Sequence, residues 1–194
     1  INGTVITHYL NGNWEILNTD GLYGTVTDLL KNTTDNKIYL VLNGGTNFTD
    51  STKVYELIRR GYQLLYSNLW TKGLQAGISL INYEVIFVLG NQIARRTNNQ
   101  FQTILNVNNP NFYQRIWGRN TKDIFLLMTD GLAHFNGNDV EYLFYFNRTL
   151  STQIYGSALF EKDVFFLVDD LSNCDAYNLI LAPRRTTYLC INYL

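Results

Sequence analysis

A unit of about 40 residues returns along this chain, and a repeat of that length dictates how the polypeptide can bury its apolar surface. The clearest copy reads Gln114-Arg115-Ile116-Trp117-Gly118-Arg119-Asn120-Thr121-Lys122-Asp123-Ile124-Phe125-Leu126-Leu127, then Asp130-Gly131-Leu132-Ala133-His134-Phe135-Asn136-Gly137-Asn138. The next copy carries Gln153-Ile154-Tyr155-Gly156 and Lys162-Asp163-Val164-Phe165-Phe166-Leu167. Gly118 and Gly156 are 38 residues apart and Asp123 and Asp163 are 40 apart, a difference that one short loop insertion supplies. Upstream, Tyr83-Glu84-Val85-Ile86-Phe87-Val88-Leu89-Gly90 and Asn36-Lys37-Ile38-Tyr39-Leu40-Val41-Leu42 take the place of the Asp-led run. The segment Gly3-Thr4-Val5-Ile6-Thr7-His8-Tyr9-Leu10-Asn11-Gly12-Asn13-Trp14-Glu15 matches only the second half of the unit.

Each unit encodes four short strands. An apolar run of four to eight residues fits a strand covered on both faces, and Asn-Gly between strands is a strong hairpin signal. The chain has 14 Tyr and 11 Phe against 2 Pro and 1 Met, and aromatic residues favour pleated strands. The reading is all-β: a single β-propeller domain over 1–194, of four-stranded blades, about five in number. Blades are expected at 25–72, 73–110, 111–150 and 151–194, with 1–17 supplying only the outer two strands of another. A half blade leaves edge hydrogen-bonding groups open, so upstream sequence or a second chain is expected to complete it, and the natural chain is expected to be longer.

The 15 basic and 16 acidic residues give a net charge of −1, which argues against a surface built to neutralise nucleic-acid phosphates. No run of about 18 apolar residues suits a membrane-spanning helix. The chain begins at Ile1 with neither an initiator Met nor a signal peptide, so the N-terminus is expected to have been removed. Cys174 and Cys190 permit one disulfide without requiring it. Asn2, Asn32, Asn47 and Asn147 head Asn-x-Ser/Thr triplets, which lean toward an extracellular or cell-surface setting, although an Asn- and Thr-rich chain also produces them by chance.

Residues 114–141, 153–167 and 3–15 resemble the bacterial β-propeller repeats of the Ile-Trp-Gly…Asp-Val-Phe…His-Tyr-Asn-Gly type. The resemblance covers a little more than a third of the chain and is weak over 25–110. It implies a secreted or surface-lipoprotein setting and leaves function open, because one fold serves many functions.

The chain lacks a Gly-x-Ser-x-Gly elbow, a Walker loop, a His-Glu-x-x-His helix and a Cys-x-x-Cys pair, and no cofactor or metal is expected. His8 and His134 fall at the same place in the repeat, which favours a structural role over catalysis. Asp28, Asp123 and Asp163 stand at or before inner strands. They are either carboxylates of a glycoside-acting centre or turn residues that bond nearby backbone N–H groups, and a catalytic set should break the repeat rather than follow it. Trp117-Gly118 and Tyr155-Gly156 could line a sugar-binding rim or pack between blades, and recurrence favours packing.

Three arginine pairs, Arg59-Arg60, Arg95-Arg96 and Arg184-Arg185, lie near third-to-fourth-strand turns. They suggest a basic arc for carboxylate or phosphate groups, against the alternative of solvated strand ends joined by salt bridges. The polar insertion 43–53, with Asn47 and Phe48, departs from the repeat and is a candidate recognition loop, as is 169–178, where Cys174 resides. The expected function is a non-catalytic module that recognises a protein or glycan at the cell surface. A glycoside-acting enzyme and a structural subunit completed by another chain are the alternatives.

Overall fold

A computed structural model of the protein describes residues 6–17, 19–44, 51–59, 61–69, 76–146, 152–170 and 177–182. The chain divides into two compact units, Ile1–Asn109 and Pro110–Leu194. Every described element is a strand, and every sheet is an antiparallel meander joining sequence neighbours.

The first unit opens with a two-stranded sheet, β1 (Ile6–Leu10) and β2 (Asn13–Leu17). A four-stranded sheet follows: β3 (Thr25–Lys31), β4 (Ile38–Asn43), β5 (Ser51–Ile58) and β6 (Gly61–Leu69). The next is built from β7 (Ala76–Ile81), β8 (Glu84–Leu89), β9 (Gln92–Thr97) and β10 (Gln100–Asn106). In the second unit, β11 (Phe112–Asn120), β12 (Asp123–Met128), β13 (Gly131–Phe135) and β14 (Val140–Tyr145) form a four-stranded sheet. There β15 (Thr152–Leu159), β16 (Val164–Asp170) and β17 (Tyr177–Ala182) form a three-stranded one.

The second strand of each four-stranded sheet is the apolar run that the repeat carries. The central residues of β4, β8 and β12 are buried on both faces, whereas the fourth strands β6, β10 and β14 alternate with solvent. Within the first unit, successive sheets stack face to face. Leu40, Leu42 and Tyr55 of the second sheet meet Ile6 and Leu22. From its opposite face Tyr39, Val41 and Val54 meet Ala76, Ile78, Val85, Phe87 and Leu89 of the third. The second unit repeats the pattern, with Phe125, Leu127 and Leu132 against Ile154, Val164 and Phe166. Burial of this kind stabilises by roughly 25 cal/mol per Å² of apolar area and is the main force holding neighbouring sheets together.

Tight turns connect the strands. Asn11-Gly12, Asn82-Tyr83 and Asn98-Asn99 each place both central residues at positive φ, the backbone that a two-residue hairpin requires. Tyr83 is the exception in chemistry, since a bulky side chain rarely adopts φ +66°. Gly131 opens β13 where a Cβ would fall 2.1 Å from the Phe144 carbonyl oxygen, so only glycine fits there.

The expected recognition insertion 43–53 is partly strand. Ser51, Thr52 and Lys53 open β5, where Asn43 pairs with Thr52 and Leu42 with Lys53. Thr52 is buried and its hydroxyl accepts a hydrogen bond from the Ala76 N–H at 2.9 Å, so this polar residue ties two sheets together. Of the four glycosylation triplets, Asn32 is buried, and its side-chain oxygen accepts from the Thr34 hydroxyl at 3.0 Å. That asparagine closes a turn and does not present itself to solvent.

Candidate functional site

A cleft of about 380 Å³ opens between β6 and the β9–β10 hairpin, both in the first unit. Gln63, Leu64 and Leu65 form one wall, and Arg96, Asn99, Gln100 and Phe101 form the other. The meander brings these walls together: β6 is the exposed fourth strand of one sheet, and β9–β10 is the outer hairpin of the sheet stacked on it.

Its floor is an ion-pair network. Arg96 bonds Glu56 of β5, and Lys37 Nζ lies 3.3 Å from the other Glu56 oxygen. Lys37 also donates to Asn99 Oδ1 at 3.1 Å. The Arg96 guanidinium lies 6.0 Å from the centre of the Tyr39 ring. Burial alone would lower the Arg96 pKa, but hydrogen bonds to Tyr39 and Glu56 outweigh it and raise it. Tyr39 is raised chiefly by burial, and its bond to Arg96 offsets only part of that. Arg96 is therefore fixed in place, and because it shares the one Glu56 carboxylate with Lys37 the cluster keeps a net positive charge.

Carboxamides from Gln63, Asn99 and Gln100 combine donors and acceptors. Beside them Phe101, edge-on to Phe87 at 5.1 Å, adds an aromatic surface. Such a lining suits a neutral ligand that offers hydroxyl groups and a flat apolar face.

A second polar cluster occupies the second unit. Asp123 accepts from Arg119 through one carboxylate oxygen, and His134 Nε2 lies 2.7 Å from the other. The His134 ring stacks on Phe125 at 4.7 Å. Arg119 also donates to the carbonyls of Phe160 at 3.2 Å and Glu161 at 2.9 Å, which clamps β11 to the turn between β15 and β16. Burial would raise the Asp123 pKa, but the bonds from Arg119 and His134 prevail and hold it below its usual value of 3.8. The backbone-binding turn role expected of Asp123 belongs to Asn120, whose Oδ1 accepts from the Lys122 N–H at 2.9 Å.

Of the arginine pairs, Arg59, Arg95 and Arg96 lie within the described residues. Arg59 is exposed at the β5–β6 turn. Arg95 donates to Gln102 at 3.3 Å, and Arg96 turns to the opposite face, because side chains alternate along a strand. Arg60, Arg184, Arg185, Asn47, Phe48, Cys174 and Cys190 lie outside the described residues. Trp117 packs edge-on against Phe166 at 5.5 Å beneath the Arg115 guanidinium, a contact between neighbouring sheets.

The cleft residues Gln63, Asn99 and Gln100, and the Glu56 beneath them, were not singled out by the repeat. One signal did exist: Glu56 interrupts Val54-Tyr55-Glu56-Leu57-Ile58, and a carboxylate in an apolar strand requires a cationic partner. No protein-family model matches the chain, and no curated protein sequence matches it.

Proposed function

We propose that the successive sheets are blades of a β-propeller, and that the chain is a non-catalytic recognition module which takes a glycan in the cleft between β6 and β9–β10. The secreted or cell-surface setting implied by the resemblance to the bacterial propeller repeats belongs to the same reading. The observation that carries it is the lining: three carboxamides and an aromatic edge around an arginine already paired with Glu56. The guanidinium spends donors on Glu56 and Tyr39, which leaves the carboxamides as the groups that meet a ligand's hydroxyls. Recognition is favoured over glycoside cleavage because Asp123, one of the carboxylates that cleavage would call on, is engaged by Arg119 and His134.

The test is titration of the protein with neutral and acidic oligosaccharides, followed by Gln63→Ala and Gln100→Ala. Each variant is expected to weaken a neutral saccharide by about tenfold, the loss of one or two hydrogen bonds. Binding that both variants leave unchanged removes the cleft from consideration, and hydrolysis of any saccharide overturns the non-catalytic reading.

A further inference from the structure

We infer that the cleft between β6 and β9–β10 selects saccharides that carry an acetamido group, with the amide of that group held among the carboxamides and its methyl against the apolar wall. The inference rests on the glycan reading of the cleft and names the substituent that decides which glycan binds there.

Three consecutive residues, Gln63, Leu64 and Leu65, line one wall, although side chains alternate along a regular strand. A bulge is the reason. Tyr55 lies opposite Leu64 and Val54 lies opposite Tyr66, so Leu65 is an extra residue, and the bend brings two apolar side chains and a carboxamide to the same opening. Leu64 is 51 % exposed, and with Phe101 on the facing wall it gives the cleft apolar surface beside its polar groups.

The polar groups are biased toward donation. Asn99 sits in a left-handed turn at φ +63°, and Lys37 Nζ donates to its Oδ1 at 3.1 Å. An ammonium only donates, so this bond holds the carboxamide oxygen on Lys37 and leaves Nδ2 as the group that Asn99 offers to the cleft. Below it, the Arg96 cluster keeps a net positive charge. Both features draw an acceptor. A hydroxyl brings a hydrogen that needs an acceptor of its own, whereas an amide carbonyl has two lone pairs and no hydrogen. A carboxylate would accept as well, but the guanidinium side chain that would hold it is only 7 % exposed and already bonded to Glu56, so the ligand would give up its water beside a competing carboxylate. The acetamido group supplies the carbonyl without that cost. Its N–H can donate to the side-chain oxygen of Gln63 or Gln100, and its methyl covers Leu64 and Phe101.

Fully N-acetylated chitotriose and cellotriose share one backbone linkage and differ only in the acetamido group or hydroxyl on the second carbon of each ring. In calorimetric titration of the whole chain, chitotriose is expected to bind about tenfold or more tightly than cellotriose, the gain of one or two hydrogen bonds. Asn99→Asp keeps an acceptor for Lys37 and suits the left-handed backbone but removes the donor, and it is expected to erase the preference. Equal affinity for the two trimers, tighter binding of trigalacturonate than of chitotriose, or a preference that survives Asn99→Asp would each overturn the inference. If Gln63→Ala still weakens both trimers, those results leave the cleft standing as a glycan site. Failure of both trimers to bind, or binding that Gln63→Ala leaves unchanged, removes the cleft and the inference with it.

Discussion

Glu56 and Arg96 stand 40 residues apart in the chain, one repeat unit, and form an ion pair that joins two stacked sheets. Their side chains are only 11 % and 7 % exposed, so neither can fall back on water if the other is removed. Glu56→Gln is expected to cost about 3 kcal/mol in urea unfolding. Replacing both residues by Met should recover most of that loss, because an apolar pair leaves no buried charge. A double variant no more stable than Glu56→Gln would show that the network acts through something other than charge pairing.

Asp123 predicts an acid-dependent term. Its folded pKa is below the ordinary 3.8, so the folded chain binds fewer protons there than the unfolded chain. The resulting stability is complete above 3.8 and is lost as pH falls through the lower folded value. The stability difference between the wild type and Asp123→Asn should therefore shrink as pH falls below 3.8 and through the lower folded value. Urea midpoints measured down to about pH 2 would check this.

Tyr83 is held at φ +66° in an exposed turn, where its carbonyl accepts from the Thr33 hydroxyl at 2.8 Å. Tyr83→Asn keeps that carbonyl and suits the left-handed backbone better. A gain of about 0.5–1 kcal/mol in thermal unfolding is expected. A loss would mean that the tyrosine ring contributes contacts which outweigh the strain.

Two glycines of the repeat should behave oppositely. Gly131→Ala would drive a Cβ into the Phe144 backbone and is expected to cost about 3 kcal/mol or more. Gly156→Ala meets nothing within 4 Å and should stay within about 0.5 kcal/mol of wild type. Thermal melts of the two variants separate these outcomes.

The strands were legible because their signals are local. The apolar runs at 38–42, 85–89 and 124–128 are the doubly buried second strands, and Asn11-Gly12 is a left-handed hairpin turn. The cleft was not legible, because its walls meet only when two sheets stack: Gln63 and Gln100 are ordinary polar residues of exposed strands until β6 comes to face β10. Asp123 misled for a related reason. Standing after a turn, it reads as a turn residue, but the side chains that hold it come from the preceding strand and from β13. Arg95 and Arg96 look like one basic patch in the sequence, and the pleat sends them to opposite faces.

The polar pairs at matched positions of the two units differ in kind. Lys37 enters β4 and meets Glu56 on the third strand, whereas Asp123 enters β12 and meets His134 at the corresponding place. Tandem copies that resemble one another risk pairing out of order while they fold. A chain whose junctions used interchangeable contacts would tolerate a skipped or exchanged neighbour. Here a second sheet that settled against the wrong mate would bury Glu56 without Arg96, at a cost of several kcal/mol. The junction of the second and third sheets thus carries its own address, a contact that the diverged copies in the second unit do not reproduce.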